Sequence, residues 1–317
     1  MNLTYQKFLF SIEAQDALLL PYYKGSTFRG GFGNAFRGVV CALKKMECKE
    51  CMLASRCIYA YIFETSPNED AEIMNMNKYE KIPHPFIIEP PEETKQIYKI
   101  GDKLYFSLIL IGRAIDYLSY FIFTFEELGK IGIGRGRGKY RLTEVETGKK
   151  ELVYSSDSKT VRAATPEELY IQETFDFSGH LEKTIKIKFL TPARISYQRN
   201  LTTDLKFHIL IRNLLRRLNL LHYFHCEKSI PAWDHKELIQ RAEGVSTKAS
   251  SLRWLDWERY SSRQNVKMKM GGITGEITYK GNMEPFMPIL KAGEIVHIGK
   301  GTSFGLGKHE VILDSRA

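Results

Sequence analysis

The chain carries the sequence GKIGIGRGRGKYR at residues 129–141, where a helix-like pattern runs into glycines and basic residues and then into a strand-like pattern. The sequence GKGTSFGLGKH at residues 299–309 repeats this order. Glycine adopts φ > 0 without steric cost and lets another backbone come close, and consecutive backbone N–H groups in such turns attract anions. Both clusters therefore indicate a partner that carries phosphate.

The order of the elements separates these clusters from nucleotide-binding loops. A dinucleotide fingerprint or a P-loop needs a strand before the glycines and a helix after them, so that the phosphate sits at the helix N-terminus. Here the helix comes first, and Gly301 stands where a P-loop has Ser or Thr. The pattern argues against a nucleotide cofactor.

Basic residues occupy alternate positions of the first cluster: Arg135, Arg137, Lys139 and Arg141. In an extended strand, side chains at alternate positions project to one face and form a cationic stripe. Such a stripe also occurs on solvated edge strands, where charge discourages aggregation. The second cluster offers Lys300, Lys308 and His309 as the corresponding phosphate contacts, although His309 could equally cap a strand end.

Length and charge restrict the class of protein. A chain of 317 residues is long enough for two domains with separate cores. Lysine and arginine total 46 against 37 acidic residues, a formal charge of +9 that favours a polyanionic partner. The apolar runs are shorter than a membrane-spanning helix, and the N-terminus does not read as an export signal, so we expect a cytoplasmic protein with no membrane partner.

Four cysteines, Cys41, Cys48, Cys51 and Cys57, form a C-x6-C-x2-C-x5-C segment. In a reducing compartment this spacing predicts a closed, four-coordinate structural zinc site. Free thiols, two disulfides in a hyperthermophile, and an iron–sulfur cluster are the alternatives. A His-x-Glu sequence does not accompany the cysteines, which argues against a deaminase-type catalytic zinc.

Hydrophobic periodicity predicts β-α-β-β-α-β in each half of the chain. In the first half, the principal predicted elements are strands at 3–14, 103–111 and 138–147 and helices at 27–45 and 113–128. In the second half, they are strands at 183–195 and 295–314, helices at 203–225 and 285–292, and a hairpin at 251–281 turning at Gly271 and Gly272. On the helix at 203–225, Arg212, Arg216 and Arg217 are predicted to face outward. The fold class is α+β, with tandem ferredoxin-like (RRM-like) domains and glycine-rich loops.

The predicted domain boundaries follow the same pattern. Residues 1–150 form the N-terminal ferredoxin-like domain with a cysteine-rich insertion at 41–57. Residues 151–182 are a polar linker. Residues 183–317 form the C-terminal ferredoxin-like domain with its glycine-rich loop at 299–309.

Three stretches resemble a known family: FRGGFGNAFR at 28–37, the cysteine segment ending in YAYIFE at 59–64, and HIGKGTSFGLG at 297–307. They are similar to the CRISPR-associated RAMP endoribonucleases of the Cas-six type, which process precursor CRISPR RNA. The resemblance covers both halves of the chain. It implies tandem ferredoxin-like domains with a basic face that grips CRISPR repeat RNA, and other CRISPR-associated proteins as further partners; the oligomeric state stays open.

The resemblance also implies a reaction. The ribose 2′-hydroxyl attacks the adjacent phosphate without a metal and leaves a 2′,3′-cyclic phosphate, so the enzyme needs a base, an acid and cations. No cofactor is expected for catalysis, and the zinc would be structural. The alternative function is a non-catalytic RAMP subunit that binds guide RNA in a CRISPR effector complex.

Many relatives place a histidine in or just after the first helix, whereas the first histidine of this chain is His84. Relatives without that histidine are thought to rely on lysine and arginine clusters. By that resemblance, the catalytic candidates are Tyr23, Arg29, Arg37 and Lys44. Tyr22 and Lys45 are the alternatives next to Tyr23 and Lys44.

Overall fold

The computed structural model describes residues 1–44, 46–65, 82–177, 182–261 and 266–313. The chain divides into two compact units. One comprises Thr4–Glu167 with Phe224–Cys226, and the other comprises Met1–Leu3, Glu168–Tyr223 and Glu227–Ala317. None of the helices in the described ranges is long and apolar enough to cross a membrane.

The N-terminal half is a ferredoxin-like module. Its elements are β1 Asn2–Ala14, β2 Leu18–Leu19, α1 Gly25–Val40, β3 Phe86–Glu89, β4 Ile97–Tyr98, β5 Lys103–Ile111, α2 Leu118–Ile131, β6 Tyr140–Thr147 and β7 Leu152–Ser155. Strand β8, Glu167–Tyr170, follows at the boundary between the two units. The main sheet runs β3-β5-β1-β6-β7, with β8 beside β1. The neighbours β3, β5, β1, β6 and β7 pair antiparallel.

Aromatic side chains fill the core of this module. Phe28, Phe32 and Phe36 recur every four residues on α1 and are fully buried. Phe32 stacks on Phe121 and Phe125 of α2, with ring centroids 5.0 and 4.8 Å apart. Aromatic pairs at this spacing add to the free energy of burial, so the inward face of α1 fixes the helix on the sheet.

The C-terminal half repeats the arrangement. Its elements are β9 Lys183–Ala193, β10 Ser196–Tyr197, β11 Asn200–Leu201, α3 Phe207–Leu221, α4 His235–Glu243, β12 Ser246–Ser250, β13 Arg253–Leu255, β14 Glu258–Ser261, β15 Val266–Lys269, β16 Gly272–Gly281, α5 Met287–Val296 and β17 His309–Leu313. The sheet runs β12-β16-β9-β17, with β13 also paired to β16. The predicted tandem ferredoxin-like fold is confirmed.

Several predicted boundaries differ from the structure. Helix α1 ends at Val40 and not at residue 45, because Cys41 takes an extended conformation. Residues 251–281 do not form one hairpin turning at Gly271 and Gly272. Instead β13 pairs with β16, and the chain between them forms a separate ribbon in which β14 pairs with β15.

The predicted outward orientation of Arg217 is wrong. The residue is 7% exposed, and its Nε–H donates to the Val296 carbonyl at 2.7 Å. That carbonyl ends α5, where it has no partner further along the helix. A buried arginine therefore satisfies the end of the helix that precedes the second glycine cluster.

The segment 151–182 contains regular structure. Leu152–Ser155 pairs with β6, Glu167–Tyr170 pairs with β1, and the division between the two units falls at Glu167 and Glu168. Residues 178–181 lie outside the described ranges.

Candidate nucleic-acid interface

The first glycine cluster forms a tight loop between α2 and β6. Gly132, Gly134 and Gly136 have φ of 88°, 73° and 84°, and Arg137 has φ of 53°. Ile133 N–H donates to the Gly138 carbonyl at 2.9 Å and closes the loop. The predicted extended stripe over residues 135–141 is wrong, because left-handed backbone at these positions breaks the alternation before β6 begins.

The loop is fixed on the backbone of β2. Arg135 N–H donates to the Leu19 carbonyl at 2.9 Å. A Cβ added at Gly134 would lie 2.3 Å from that same oxygen, so only glycine permits the approach. The loop cannot move away from β2 without losing this hydrogen bond.

The side chains of the four basic residues in and after the loop, Arg135, Arg137, Lys139 and Arg141, are all exposed. Within the described residues, Arg141 is the one of the four whose side chain pairs with an acid, with Nη2 3.6 Å from Glu13 Oε2. The structure thus leaves guanidinium and ammonium groups at the surface on a fixed backbone. Their contact with RNA remains a prediction.

The second glycine cluster is fixed on the end of β9. Lys300 N–H donates to the Arg194 carbonyl at 2.9 Å, and Gly307 N–H donates to the Pro192 carbonyl at 3.0 Å. The Thr191 hydroxyl donates to the Gly305 carbonyl at 2.8 Å and accepts from Lys308 N–H at 2.9 Å. The Lys300 side chain is exposed and that of Lys308 is half-buried.

Sequence reasoning missed Arg194. Its backbone forms a parallel bridge with Gly299, and its Nη1 donates to the Gly271 carbonyl at 2.6 Å. Arg194 therefore connects the second loop to the segment between β15 and β16. The sequence signal for Arg194 was a basic residue directly after a long strand. Its hydrogen-bonding partners could not be predicted, because folding brings them close from distant parts of the chain.

His309 lies inside the C-terminal module. The residue is 2% exposed, its Nδ1 is 3.0 Å from the Gly307 carbonyl, and its ring packs near Phe189. Burial is the largest cause that lowers the pKa of His309 to about 4. The ring is therefore neutral at physiological pH and does not reach a phosphate at the surface.

Tyr23 is half-buried at the start of α1. Burial first, and the carboxylate of Glu89 second, raise the pKa of its phenol well above the ordinary value. The phenol remains protonated at neutral pH, so it can donate a hydrogen bond or a proton but cannot act as a base.

The two arginines of α1 are engaged by the protein. The Arg29 guanidinium lies over the rings of Phe63 and Phe86, at 4.5 and 5.8 Å from their centroids. The Arg37 Nη2 donates to the carbonyls of Lys44 and Met46, at 3.4 and 3.1 Å. These contacts hold the chain that follows α1.

Lys44 itself is exposed beyond the end of α1. Lys45 lies outside the described residues. The structure thus separates the candidates into an exposed amine and two arginines that pack against their own module.

Folding brings His84 to α1. The Arg29 Nη2 lies 3.3 Å from His84 Nε2, and Thr65 Oγ1 lies 3.5 Å from His84 Nδ1. The Thr65 hydroxyl donates to the Ile82 carbonyl at 3.0 Å, so its oxygen is free to accept from Nδ1–H. Arg29 can only donate a hydrogen bond, so His84 Nε2 accepts it. This assigns the neutral His84 tautomer that has its lone pair on Nε2. No sequence pattern predicts this pairing, because 55 residues separate the partners.

Comparisons with known proteins identify relatives of both parts of the chain. Residues 3–166, more than half of the chain, match a family model described as an N-terminal domain, and residues 187–309 match the model of the CRISPR-associated endoribonuclease Cas6. The C-terminal part of the chain therefore matches the Cas6 family, and the N-terminal part matches a separate domain model. An uncharacterised protein of Archaeoglobus fulgidus is 24% identical over 300 residues, which cover 91% of each chain.

Solved Cas6 structures share the fold. A Cas6 product complex superimposes with a TM-score of 0.55 at 15% identity, over 97% of this chain and 100% of the other. Thermus thermophilus Cas6 gives 0.53 at 14% identity, over 98% and 99% of the two chains. A partial Cas6-RT-Cas1–Cas2 complex gives 0.58 at 13% identity over 99% of this chain, which spans 47% of the matched chain.

The cysteines do not form the predicted zinc site. All four are half-buried, but no three His, Cys, Asp or Glu side chains of the described residues come together to hold a metal ion. The four cysteines, as arranged in the described residues, do not provide a zinc site.

Proposed function

We propose that this chain cleaves precursor CRISPR RNA within its repeats, in the cytoplasm where that RNA is made. The observation that carries the proposal is the pair of glycine-rich loops that present cations in a Cas6-family fold. Arg135 and Lys300 are each exposed while their own backbone N–H groups are bound to the module. Cations on fixed backbone bind phosphate at a smaller entropic cost than cations on mobile chain.

In the proposed reaction, the ribose 2′-oxygen bonds to the adjacent phosphorus and the bond from phosphorus to the 5′-oxygen breaks. The 2′-hydroxyl proton passes to a base, and an acid supplies a proton to the departing 5′-oxygen. The products are a 2′,3′-cyclic phosphate and a 5′-hydroxyl. The substrate supplies the nucleophile, so the residues of this chain need only move protons and stabilise charge.

We assign roles from the environment of each side chain. Arg135, Arg137 and Lys139 would bind the RNA backbone, and Lys300 would do so from the second loop. Tyr23 would act as a donor to the phosphate because its phenol stays protonated. Lys44, which is exposed, is a better candidate than Arg29 or Arg37 for direct contact with the substrate.

The remaining candidates have smaller roles in this proposal. The carboxylate of Glu13 partly offsets the charge of Arg141, and Lys308 is half-buried. His309, which is 2% exposed, would support the second loop from inside.

The alternative function, a non-catalytic subunit that holds guide RNA, also has an observation in its favour. Arg29 and Arg37 are engaged by aromatic rings and backbone carbonyls, and α1 contains no histidine. Both functions require RNA as a partner. Other CRISPR-associated proteins are proposed partners in either case, by analogy with the Cas6-RT-Cas1–Cas2 complex.

A cleavage assay distinguishes the two functions. The purified chain is incubated in chelator with a repeat RNA from its own host, beside the same RNA with one 2′-deoxy residue at the cut site. Cleavage of the first RNA and not the second supports the endoribonuclease. Binding of both RNAs without cleavage supports the guide-RNA subunit, and the absence of binding contradicts both.

A further inference from the structure

The β2–β4 ribbon presents apolar side chains to solvent beside the first glycine loop. Leu18 pairs with Tyr98 and Leu19 pairs with Ile97 across the two strands. Leu18 is fully buried and Tyr98 is 1% exposed, whereas Leu19 and Ile97 are 41% and 64% exposed. Directly opposed residues of an antiparallel pair share a face, so Leu19 and Ile97 stand together on the outer face.

The glycine loop extends this face by one residue. Leu19 forms an antiparallel bridge with Arg135, whose side chain is exposed. Arg135, Leu19 and Ile97 therefore lie side by side, in an arrangement that we call the outer row. Neighbouring backbones in such pairing lie about 4.8 Å apart, so the row extends about 10 Å from one end to the other.

Charge lies at one end of the outer row. Arg135 stands at that end, and Arg137 follows in the same loop with its side chain exposed. Among the ion pairs of the described residues, neither arginine meets a carboxylate. Tyr22, which is 65% exposed, follows Leu19 by three residues and adds an aromatic ring to the same segment.

We propose that the outer row binds unpaired nucleotides of RNA, with a phosphate on Arg135 and base faces on Leu19 and Ile97. This inference rests on the proposed function, because the ligand of the outer row is the same RNA that the proposed function assigns to the chain. Guanidinium beside apolar surface matches the two chemical parts of a nucleotide, and single-strand binders combine a cationic groove with surfaces that accept bases. A wholly apolar partner would leave Arg135 without a counter-charge.

The site should discriminate single strands from duplexes. In a duplex the base faces are stacked on one another and cannot reach Leu19 or Ile97, although the phosphates still reach Arg135. The apolar residues should therefore contribute to binding of unpaired RNA alone. Arg135 should contribute to binding of either form, and its contribution should fall with salt.

The experiment compares a double variant, Leu19→Ser with Ile97→Ser, with a control variant, Ile100→Ser. Ile100 is 73% exposed and lies outside the row. The probes are a short labelled oligouridine, the same oligomer made of abasic nucleotides, and an RNA duplex of equal length. Affinity is measured by fluorescence anisotropy, and the melting temperature of each variant is recorded as a check on folding.

We expect the double variant to bind oligouridine about tenfold more weakly, which corresponds to about 1.4 kcal/mol, and to bind the abasic oligomer and the duplex as the unaltered chain does. Ile100→Ser should change none of the affinities. An equal loss for all three probes, or an equal loss in Ile100→Ser, contradicts the proposal. Unchanged RNA binding with a changed oligomeric state would show that the row contacts protein instead.

The outcomes also separate this inference from the proposed function. If the unaltered chain binds RNA and the double variant binds it equally well, the outer row is not an RNA site and the proposed function stands. If the unaltered chain binds no RNA, both are contradicted. A double variant that cleaves repeat RNA at the normal rate at saturation, but with a higher KM, supports both.

Discussion

Replacement of Gly134 by alanine should disturb the first loop more than the same change at Gly136. Both glycines have left-handed backbone, with φ of 73° and 84°. A Cβ at Gly136 would meet nothing within 4 Å, whereas a Cβ at Gly134 would lie 2.3 Å from the Leu19 carbonyl oxygen. The pair therefore separates the cost of the left-handed conformation from the cost of losing contact with β2.

The magnitudes follow from these two contacts. Alanine in left-handed conformation costs about 1–2 kcal/mol at either position. At Gly134 the loop must also move by about 1 Å to relieve the contact with Leu19, and that shift breaks the Arg135 hydrogen bond, which contributes about 1 kcal/mol. Each kcal/mol lowers the melting temperature of a unit this size by about 2–4 °C, so Gly134→Ala should melt about 2–4 °C below Gly136→Ala.

The same displacement should weaken RNA binding, because it moves the Arg135 guanidinium away from Leu19 and Ile97, the other two residues of the outer row. The assay is the salt dependence of oligouridine affinity. Loss of one phosphate contact lowers the slope of log affinity against log salt by about 0.7 for a single strand. Gly134→Ala should show this change and Gly136→Ala should keep the original slope. Equal stability and equal slopes in the two variants would refute the argument that the Leu19 contact fixes the loop.

Three further predictions test other parts of the structure. The double variant Arg135→Ala with Arg137→Ala should bind RNA more weakly and with a flatter salt dependence. Unchanged affinity at every salt concentration would show that the first loop does not contact RNA. Arg194→Met keeps an apolar side chain of similar length but loses the donor to the Gly271 carbonyl. Urea denaturation should show a free energy of unfolding that is lower by about 1–3 kcal/mol. An unchanged free energy of unfolding would show that this hydrogen bond does not stabilise the chain. The pKa of His309 falls from 6.5 to about 4 on folding, so unfolding takes up a proton between these values and acid destabilises the native state. Between pH 7 and pH 5, the melting temperature of His309→Gln should therefore fall by less than that of the unaltered chain. Equal falls would show that His309 does not contribute to the acid sensitivity.

Periodicity predicted most of the regular structure, because burial of one face imposes a repeat that is visible in the chain. Phe28, Phe32 and Phe36 recur at helical spacing, and they are the residues that bury α1 against the sheet. The same reasoning failed for Arg217, whose spacing on α3 gave an outward position. The carbonyl that draws it inward belongs to Val296, which is 79 residues away.

The amino-acid sequence by itself determined the two βαββαβ modules and the basic glycine-rich turns, since both depend on local pattern and on residue type. The tertiary structure decided which side chains the turns present and what supports them. Arg135 stands beside Leu19 and Ile97 only because β2, β4 and the loop pair in one register, and Arg29 meets His84 only because β3 returns beside α1. Hydrogen bonds between distant segments carry no periodic signal, so their partners become known only when the backbone has been brought together.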